Sequence, residues 1–411
     1  MNGKGKACFV AGALPGETVR WKRTKSHRSY DEGEMVEIIE ASPDRITPKC
    51  QYIQKCGGCE LQHLESSAQL AAKEGQLKRA FEREGIEPES WLPPLAGNPW
   101  EYRRRTRLAV AYAGKRTIVG YRERAGHKLV EVENCAVLAP ALNKLLPFLE
   151  DLATALKPFG LNQIELVTGD QNDQEQSAIC LSVKRIPSDA VLEPFKTFFA
   201  AKYIQLWVRQ GRKAPEPQSE YAPLQTALVD DLTMEFTPAQ FVQANAEMNQ
   251  KMVAQAMALL DVQPEHKALD LFCGAGNFSL PITKKAKKTV GVEGLSELIM
   301  QADLNAKRQG LKNTDFRLAD LSKDNAMTAR KFPKGSFDRI LLDPPRTGAI
   351  NLMPAVAHIG ASRVVYVSCH PATLVRDAKM LVEGGYRLTK VGVIDMFPQT
   401  THLEAIALFQ R

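Results

Sequence analysis

The sequence predicts an α/β protein: a doubly wound, largely parallel sheet from about Phe236 onward, preceded by a mixed α+β region and a small β module. Three observations carry that prediction. Short apolar runs such as KALDLFCG, TVGVEG, FDRILLDPP and RVVYVSC alternate with helical spacing over Gln243–Leu260 and Leu295–Gln309, as strands joined by crossover helices do. The first run opens into a glycine turn at Gly274 and Gly276. Acids close the following runs, placing polar groups beyond the carboxyl ends of the strands, where such sheets bind ligands.

Taken in order, residues 1–48 read as the strands KACFVAG, ETVRWKR and EMVEIIEA between Gly and Pro turns, predicting a small β-barrel or sheet. The basic run Arg20 to Arg28 lies in it. Leu64 to Gly85 carries Leu70, Leu77 and Phe81 near helical spacing and stops at a glycine, predicting a helix. Residues 100–235 mix two basic strands around AGKR, a helix over Leu142 to Leu156, the paired strands NQIELVTG and QSAICLSVKR, and a proline-rich break at KAPEPQSEYAP. The runs TDFRLAD, LTKVGVIDMF and HLEAIALF complete the C-terminal sheet, and no internal repeat is evident.

With 411 residues the chain is long enough for two to three domains, and its 44% hydrophobic and 25% charged content excludes a disordered or low-complexity chain. No apolar run approaches the roughly 20 residues of a membrane helix, so a soluble, cytoplasmic protein is expected. The formal net charge of +7 favours a polyanionic partner, and its distribution sharpens this. Between Arg103 and Lys128 nine basic residues face one acid, Glu123, and Tyr112 and Tyr121 are expected to stack on bases.

Three of the eight cysteines, Cys50, Cys56 and Cys59, form a C-x5-C-x2-C cluster whose glycines leave the backbone free to wrap a common centre. Cys135 offers a fourth thiolate. An all-cysteine set suits zinc or a [4Fe–4S] cluster, and spacing does not choose between them.

In the C-terminal half the glycine turn lacks the third Gly of a dinucleotide fingerprint, which argues against a pyrophosphate ligand. Glu293 is placed to bind a ribose diol and Asp320 an adenine edge, and Asp343 follows the next strand. Such a series suits a nucleoside with a cationic centre, as in S-adenosylmethionine. The strand VVYVSC delivers Cys369 to the same edge, where the following helix and nearby basic groups are expected to lower its pKa. Glu404 enters the apolar strand AIALF, an unusual place for a carboxylate without a task. Together a thiol, a base and a sulfonium suit thiolate addition to C6 of a flipped-out pyrimidine and methylation at C5.

The motifs FVQAN, DLFCGAGNFSLP, VGVEG, LLDPPRTGA, VSCHPATLVRD and FPQTTHLEAIALF resemble those of the RNA 5-methyluridine methyltransferases. The cysteine pattern and the preceding β module resemble the [4Fe–4S] region and TRAM domain of the 23S rRNA members, whose family target is U1939; here the TRAM-like module is expected to be shortened at its N-terminus. The resemblance implies a class I methyltransferase domain over residues 236–411, an iron–sulfur and RNA-binding region over 49–235, and the TRAM-like module over 1–48. It implies Cys369 as nucleophile and Glu404 as general base. By the same likeness Gln243, Phe272, Asn277, Glu293, Asp320 and Asp343 contact S-adenosylmethionine, and Cys50, Cys56, Cys59 and Cys135 hold the cluster. tRNA-modifying relatives are expected to lack both cluster and N-terminal module. Two alternatives stay open: a different tRNA or rRNA uridine as target, and a non-catalytic RNA-binding assembly factor holding zinc.

Overall fold

The computed structural model describes residues 6–124, 126–170, 176–323 and 332–411. Its largest sheet has eight strands in the order Thr314–Leu318, Lys288–Glu293, Lys267–Leu271, Arg339–Leu342, Arg363–Ser368, Glu404–Gln410, Arg387–Ile394 and Ser90–Trp91. The first five run parallel; Glu404–Gln410 is antiparallel to both of its neighbours. Strands buried on both faces read as continuous apolar runs, which is why this half was legible in the sequence. Ala246–Leu260, with Asn245 accepting from the Met248 amide at 3.1 Å as its cap, packs on one side of the sheet. Pro371–Glu383 packs on the other.

The predicted helix is Ser66–Arg83, and it lies against the catalytic sheet and the helix Pro371–Glu383. Its buried row is Gln69, Lys73, Leu77 and Phe81, so two polar side chains occupy positions that apolar periodicity alone does not assign. The segment that follows supplies the edge strand Ser90–Trp91, so residues 66–91 pack with the C-terminal sheet although they precede the central region.

The central region is a seven-stranded sheet that includes the basic hairpin Arg105–Ala113 and Arg116–Arg122. The helix expected over Leu142 to Leu156 is broken into Pro140–Asn143, a single tight turn at Leu146–Phe148, and Leu149–Ala155. Pro147 explains the break, since it has no N–H to donate and its ring clashes with the preceding turn.

At the N-terminus, where a small barrel was the expectation, the described residues form an open sheet of three strands, Ala7–Ala11, Tyr30–Glu40 and Thr18–Ser26 in that order. Three strands are too few to close. Arg45 anchors the module by pairing with the buried carboxylate of Glu17 and donating to the Gly12 carbonyl at 2.6 Å. Among the described residues no helix is long and apolar enough to cross a membrane.

Candidate active site

Parallel strands deliver their carboxyl ends to one edge of the sheet, and there the chain places Phe272, Glu293, Asp343 and Cys369. The antiparallel strand brings Glu404 to the same edge. Its register pairs Ala405 with Ser368, so Glu404 falls opposite Cys369. Two residues 35 positions apart in sequence thus become neighbours through one strand pairing.

Glu404 is 6% exposed, and its Oε2 has no hydrogen-bond partner among the described residues. A buried carboxylate left without partners favours its proton; burial first, then the nearby Asp343, push the Glu404 pKa up to about 8. Burial holds Asp343 at about 7. Cys369 is half-buried, and its thiol is raised by burial and by Glu404 and Asp343, with Arg346 opposing. The expectation of a lowered thiol pKa is therefore overturned in the ligand-free site. The helix Pro371–Glu383 does begin just beyond Cys369, yet desolvation and two acids outweigh it.

Beside this corner the backbone is shaped for close approach. Phe272 takes a left-handed φ of +65°, an uncommon and strained conformation for a side chain with a Cβ, and Gly274 and Gly276 follow at +55° and +106°. Glu293 accepts from the amides of Gly274 at 3.2 Å, Gly294 at 2.7 Å and Leu295 at 3.2 Å, which aims its carboxylate at the start of the glycine turn. Asn277 exchanges two amide hydrogen bonds with Asn249, at 2.9 and 3.0 Å. Gln243 precedes the cap Asn245, whose Nδ2 donates to the Met396 carbonyl at 3.3 Å, so this segment borders the loop leading to Glu404.

Asp320 follows the parallel strand Thr314–Leu318 at the same edge, next to Gly294, but it is exposed, and its own loop engages it through the Ser322 amide at 3.1 Å, the Ser322 hydroxyl at 2.6 Å and Lys323 at 3.1 Å. Those bonds, the Ser322 hydroxyl foremost, hold its carboxyl below the usual range.

A profile of the tRNA (uracil-5-)-methyltransferase family matches residues 67–411. The chain belongs to this family. It is 40% identical to a 23S rRNA (uracil(1939)-C(5))-methyltransferase RlmD of Alcanivorax borkumensis over 99% of this chain and 92% of that protein. It is 41% identical to the RlmD of Methylococcus capsulatus, over 99% and 93%. Among solved structures, a Pyrococcus abyssi tRNA (uracil-54, C5)-methyltransferase in complex with S-adenosyl-L-homocysteine superposes with a TM-score of 0.74 at 23% identity, covering 98% of this chain and 96% of that one. That likeness shows a shared fold over 98% of this chain.

Three features of the site escaped the sequence reading. Arg346 and His402 meet at 3.2 Å, Nη2 to Nδ1, and Arg346 is the basic group that counters the acids around Cys369. Asp270 lies wholly buried under the glycine turn, accepts from the Ser279 hydroxyl at 2.5 Å, and is raised by burial to about 7. Asp377 accepts from the Tyr366 hydroxyl and the Ala349 amide, both at 2.6 Å, pinning the turn after Asp343 to the helix behind Cys369. An acid inside a helix carries no signal of such a role in sequence.

The four predicted cluster cysteines line one cavity of about 680 Å³, bordered also by Tyr52, Arg103, Phe397 and His402. Burial raises the thiols of Cys56, Cys59 and Cys135, Cys59 to about 12, and neighbouring thiols of the set add to each rise. Cys56 Sγ accepts from the Gly58 amide at 3.4 Å, and Asn143 brackets the Cys135 backbone with bonds of 2.8 and 3.0 Å. Among the described residues no three His, Cys, Asp or Glu side chains converge closely enough to hold one metal ion.

The basic hairpin is less free than its charge count implies. Arg104 is buried on Asp170, Thr226 and the Gln243 carbonyl, and Arg105 lies on the buried Glu165 and the Pro238 and Gln240 carbonyls. Arg107 is 63% exposed. Both tyrosine hydroxyls are engaged within the protein: Tyr121 bonds Thr106 at 2.8 Å, and the Tyr112 hydroxyl donates to the Ala153 and Leu161 carbonyls. Sequence spacing locates the charges but not the acid, Glu165, that neutralises part of them.

Proposed function

We propose that this chain transfers a methyl group from S-adenosylmethionine to C5 of one uridine in 23S rRNA, the position that its relatives' names give as 1939. The observation that carries the chemistry is the buried, unpartnered Glu404 set opposite Cys369 at the strand edge. A stable core places a polar atom without partners only rarely, and a reacting substrate is the partner that this one lacks. The identity of 40 to 41% to the rRNA enzymes, against 23% to the tRNA enzyme, favours the rRNA target. Chain architecture does not decide the point, because the tRNA enzyme covers 98% of this chain. The test is to map 5-methyluridine in rRNA and tRNA from cells with and without the protein: loss at the rRNA site supports the reading, and loss confined to tRNA reverses it.

In this reading the Cys369 thiol loses its proton to solvent and Sγ bonds to C6 of the uracil as the C5–C6 double bond opens, which makes C5 nucleophilic and able to take the methyl group, leaving the methyl donor as a neutral thioether. When bound, S-adenosylmethionine supplies a methyl group on a cationic sulfur. Glu404 takes the proton from the methylated C5, the C6–S bond breaks, and Cys369 regains its electron pair. Gln243, Phe272, Asn277, Glu293 and Asp343 hold the cofactor along the strand edge, Glu293 binding the ribose; Asp320 reaches it only by releasing Ser322 and Lys323.

Cys50, Cys56, Cys59 and Cys135 line one cavity, and four thiols there suit a [4Fe–4S] cluster, with zinc as the alternative that the same donor set would hold. The group would supply a cross-link between the loop at 50–59 and the end of the basic segment. Anaerobically purified protein is expected to be brown with broad visible absorbance that Cys59→Ser removes; a colourless protein with one equivalent of zinc overturns the assignment. The regions 1–48, 49–235 and 236–411 then serve as TRAM-like, cluster-bearing RNA-binding and catalytic parts of a cytoplasmic enzyme, with residues 66–91 of the second packed on the catalytic sheet.

RNA contact follows exposure. Arg107→Gln is expected to reduce the slope of log affinity against log salt by about one. Arg104→Gln, by contrast, lowers stability because it strips the partner from the half-buried Asp170, and an equal loss of salt slope in both variants would contradict this division.

A further inference from the structure

The chain between the strands Arg387–Ile394 and Glu404–Gln410 carries the turn that leads into Glu404, and its partners come from far away in sequence. Gln69, 1% exposed on the helix Ser66–Arg83, accepts from the Gln399 amide at 2.9 Å and donates to Gln399 Oε1 at 3.0 Å. The same side-chain amide bonds the Leu61 and Leu64 carbonyls at 3.0 and 2.8 Å. Gln399 returns the link, its carbonyl accepting from the amides of Glu60 and Leu61 at 2.9 and 3.0 Å. Four further contacts follow the same logic. Lys73 pairs with Asp395 at 2.6 Å and donates to the Phe397 carbonyl at 3.0 Å, Tyr102 donates to the Pro398 carbonyl at 2.9 Å, and Glu60 accepts from the Thr401 amide at 3.1 Å.

Gln399 itself has φ +69°, a left-handed conformation that costs a residue with a Cβ energy and persists only where neighbours over-determine it. Gln69 is the neighbour that binds both its backbone amide and its side chain. Glu404 follows five residues later, and Cys59 precedes Glu60 directly. One buried amide therefore joins the end of the cysteine loop to the turn that aims the base.

We propose that Gln69 is a positioning residue for Glu404: by clamping the Gln399 turn it sets the placement of the carboxylate over C5 and ties that placement to the cysteine loop. The inference rests on the reading of Glu404 as base. Its consequence is selective, because the hydrogen bonds of Gln69 hold the Gln399 turn that leads into Glu404 and do not touch the segment beyond Arg363–Ser368 that carries Cys369. Loss of the clamp slows removal of the C5 proton and leaves the earlier bond to C6 intact.

The test uses full-length, anaerobically purified enzyme and a short RNA carrying either uridine or 5-fluorouridine at the target position. Fluorine cannot leave C5 as a cation, so the fluorinated RNA stays joined to the protein whether or not the base is placed correctly. Gln69→Leu is expected to lower kcat on uridine RNA by about 10- to 100-fold with KM for RNA and cofactor within about twofold. A protein–RNA adduct should accumulate on uridine RNA in denaturing gels, while adduct formation with fluorinated RNA keeps its wild-type rate. Glu60→Ala loosens the same turn from its exposed side and gives the same pattern in milder form; it decides the matter if Gln69→Leu does not fold. Reduced thermal stability with unchanged kcat, or a fall in kcat accompanied by equally slowed trapping on fluorinated RNA and no adduct on uridine RNA, overturns the proposal. Failure of the wild-type enzyme to form any fluorinated adduct refutes the underlying reaction instead.

Discussion

Cys369→Ala is expected to lower methylation by about 10⁴-fold or more while cofactor and RNA binding persist, because without the sulfur nothing makes C5 nucleophilic. Cys369 is half-buried and its removal leaves only a small void beside Glu404, so the fold should survive. Binding of tritiated cofactor and of the RNA, measured beside turnover, separates chemistry from folding. Turnover retained within about tenfold would take Cys369 out of the mechanism.

Glu404→Gln has the second large effect and a different signature. The amide keeps the shape of the carboxyl but cannot accept the C5 proton, so turnover falls by about 10²- to 10⁴-fold and the enzyme stops as a covalent adduct with methylated RNA. The pH dependence follows from the buried carboxyl. Its pKa is raised from 4.5 to about 8 in the ligand-free fold, chiefly by burial, so the folded state holds this proton more tightly than the unfolded chain. The stabilisation is complete below about 4.5 and is lost as pH rises through about 8. Ligand-free Glu404→Gln, neutral at every pH, should therefore gain stability relative to wild type as pH climbs across that window, read from urea midpoints. In the reaction the sign reverses, because only the ionised base works: turnover rises with pH until Glu404 is deprotonated. A pH-independent difference between the two proteins would mean that Glu404 is not held protonated.

The catalytic sheet was readable because strands buried on both faces leave apolar runs, and because strand ends in such a sheet share an edge. That logic places Glu293, Asp320, Asp343 and Cys369 at one edge, whereas Phe272 is supplied only by the family resemblance. It could not give the environment. The direction of the Cys369 shift depends on Glu404 and Asp343 crowding the thiol, a fact of strand register and burial, not of local sequence. The same limit hid the fate of the basic hairpin, since Glu165 stands about 60 residues from the arginines it neutralises. Pro147 did announce the broken helix, and the periodicity of its neighbours masked it. Gln69 and Lys73 carry no signal at all in isolation: a polar residue on the buried row of a helix becomes meaningful only once Gln399 and Asp395 arrive beside it.

The central claim is that one sulfur joins the pyrimidine ring at the strand edge shared with Glu404. Trapping the enzyme on RNA with 5-fluorouridine at the target, digesting both partners and sequencing the joined peptide by mass spectrometry tests it directly. The expected product is the Cys369 peptide bonded to a fluorouridine that has gained one methyl group. A bond to any of the other seven cysteines, or a nucleotide joined without the methyl group in the presence of S-adenosylmethionine, would contradict the account.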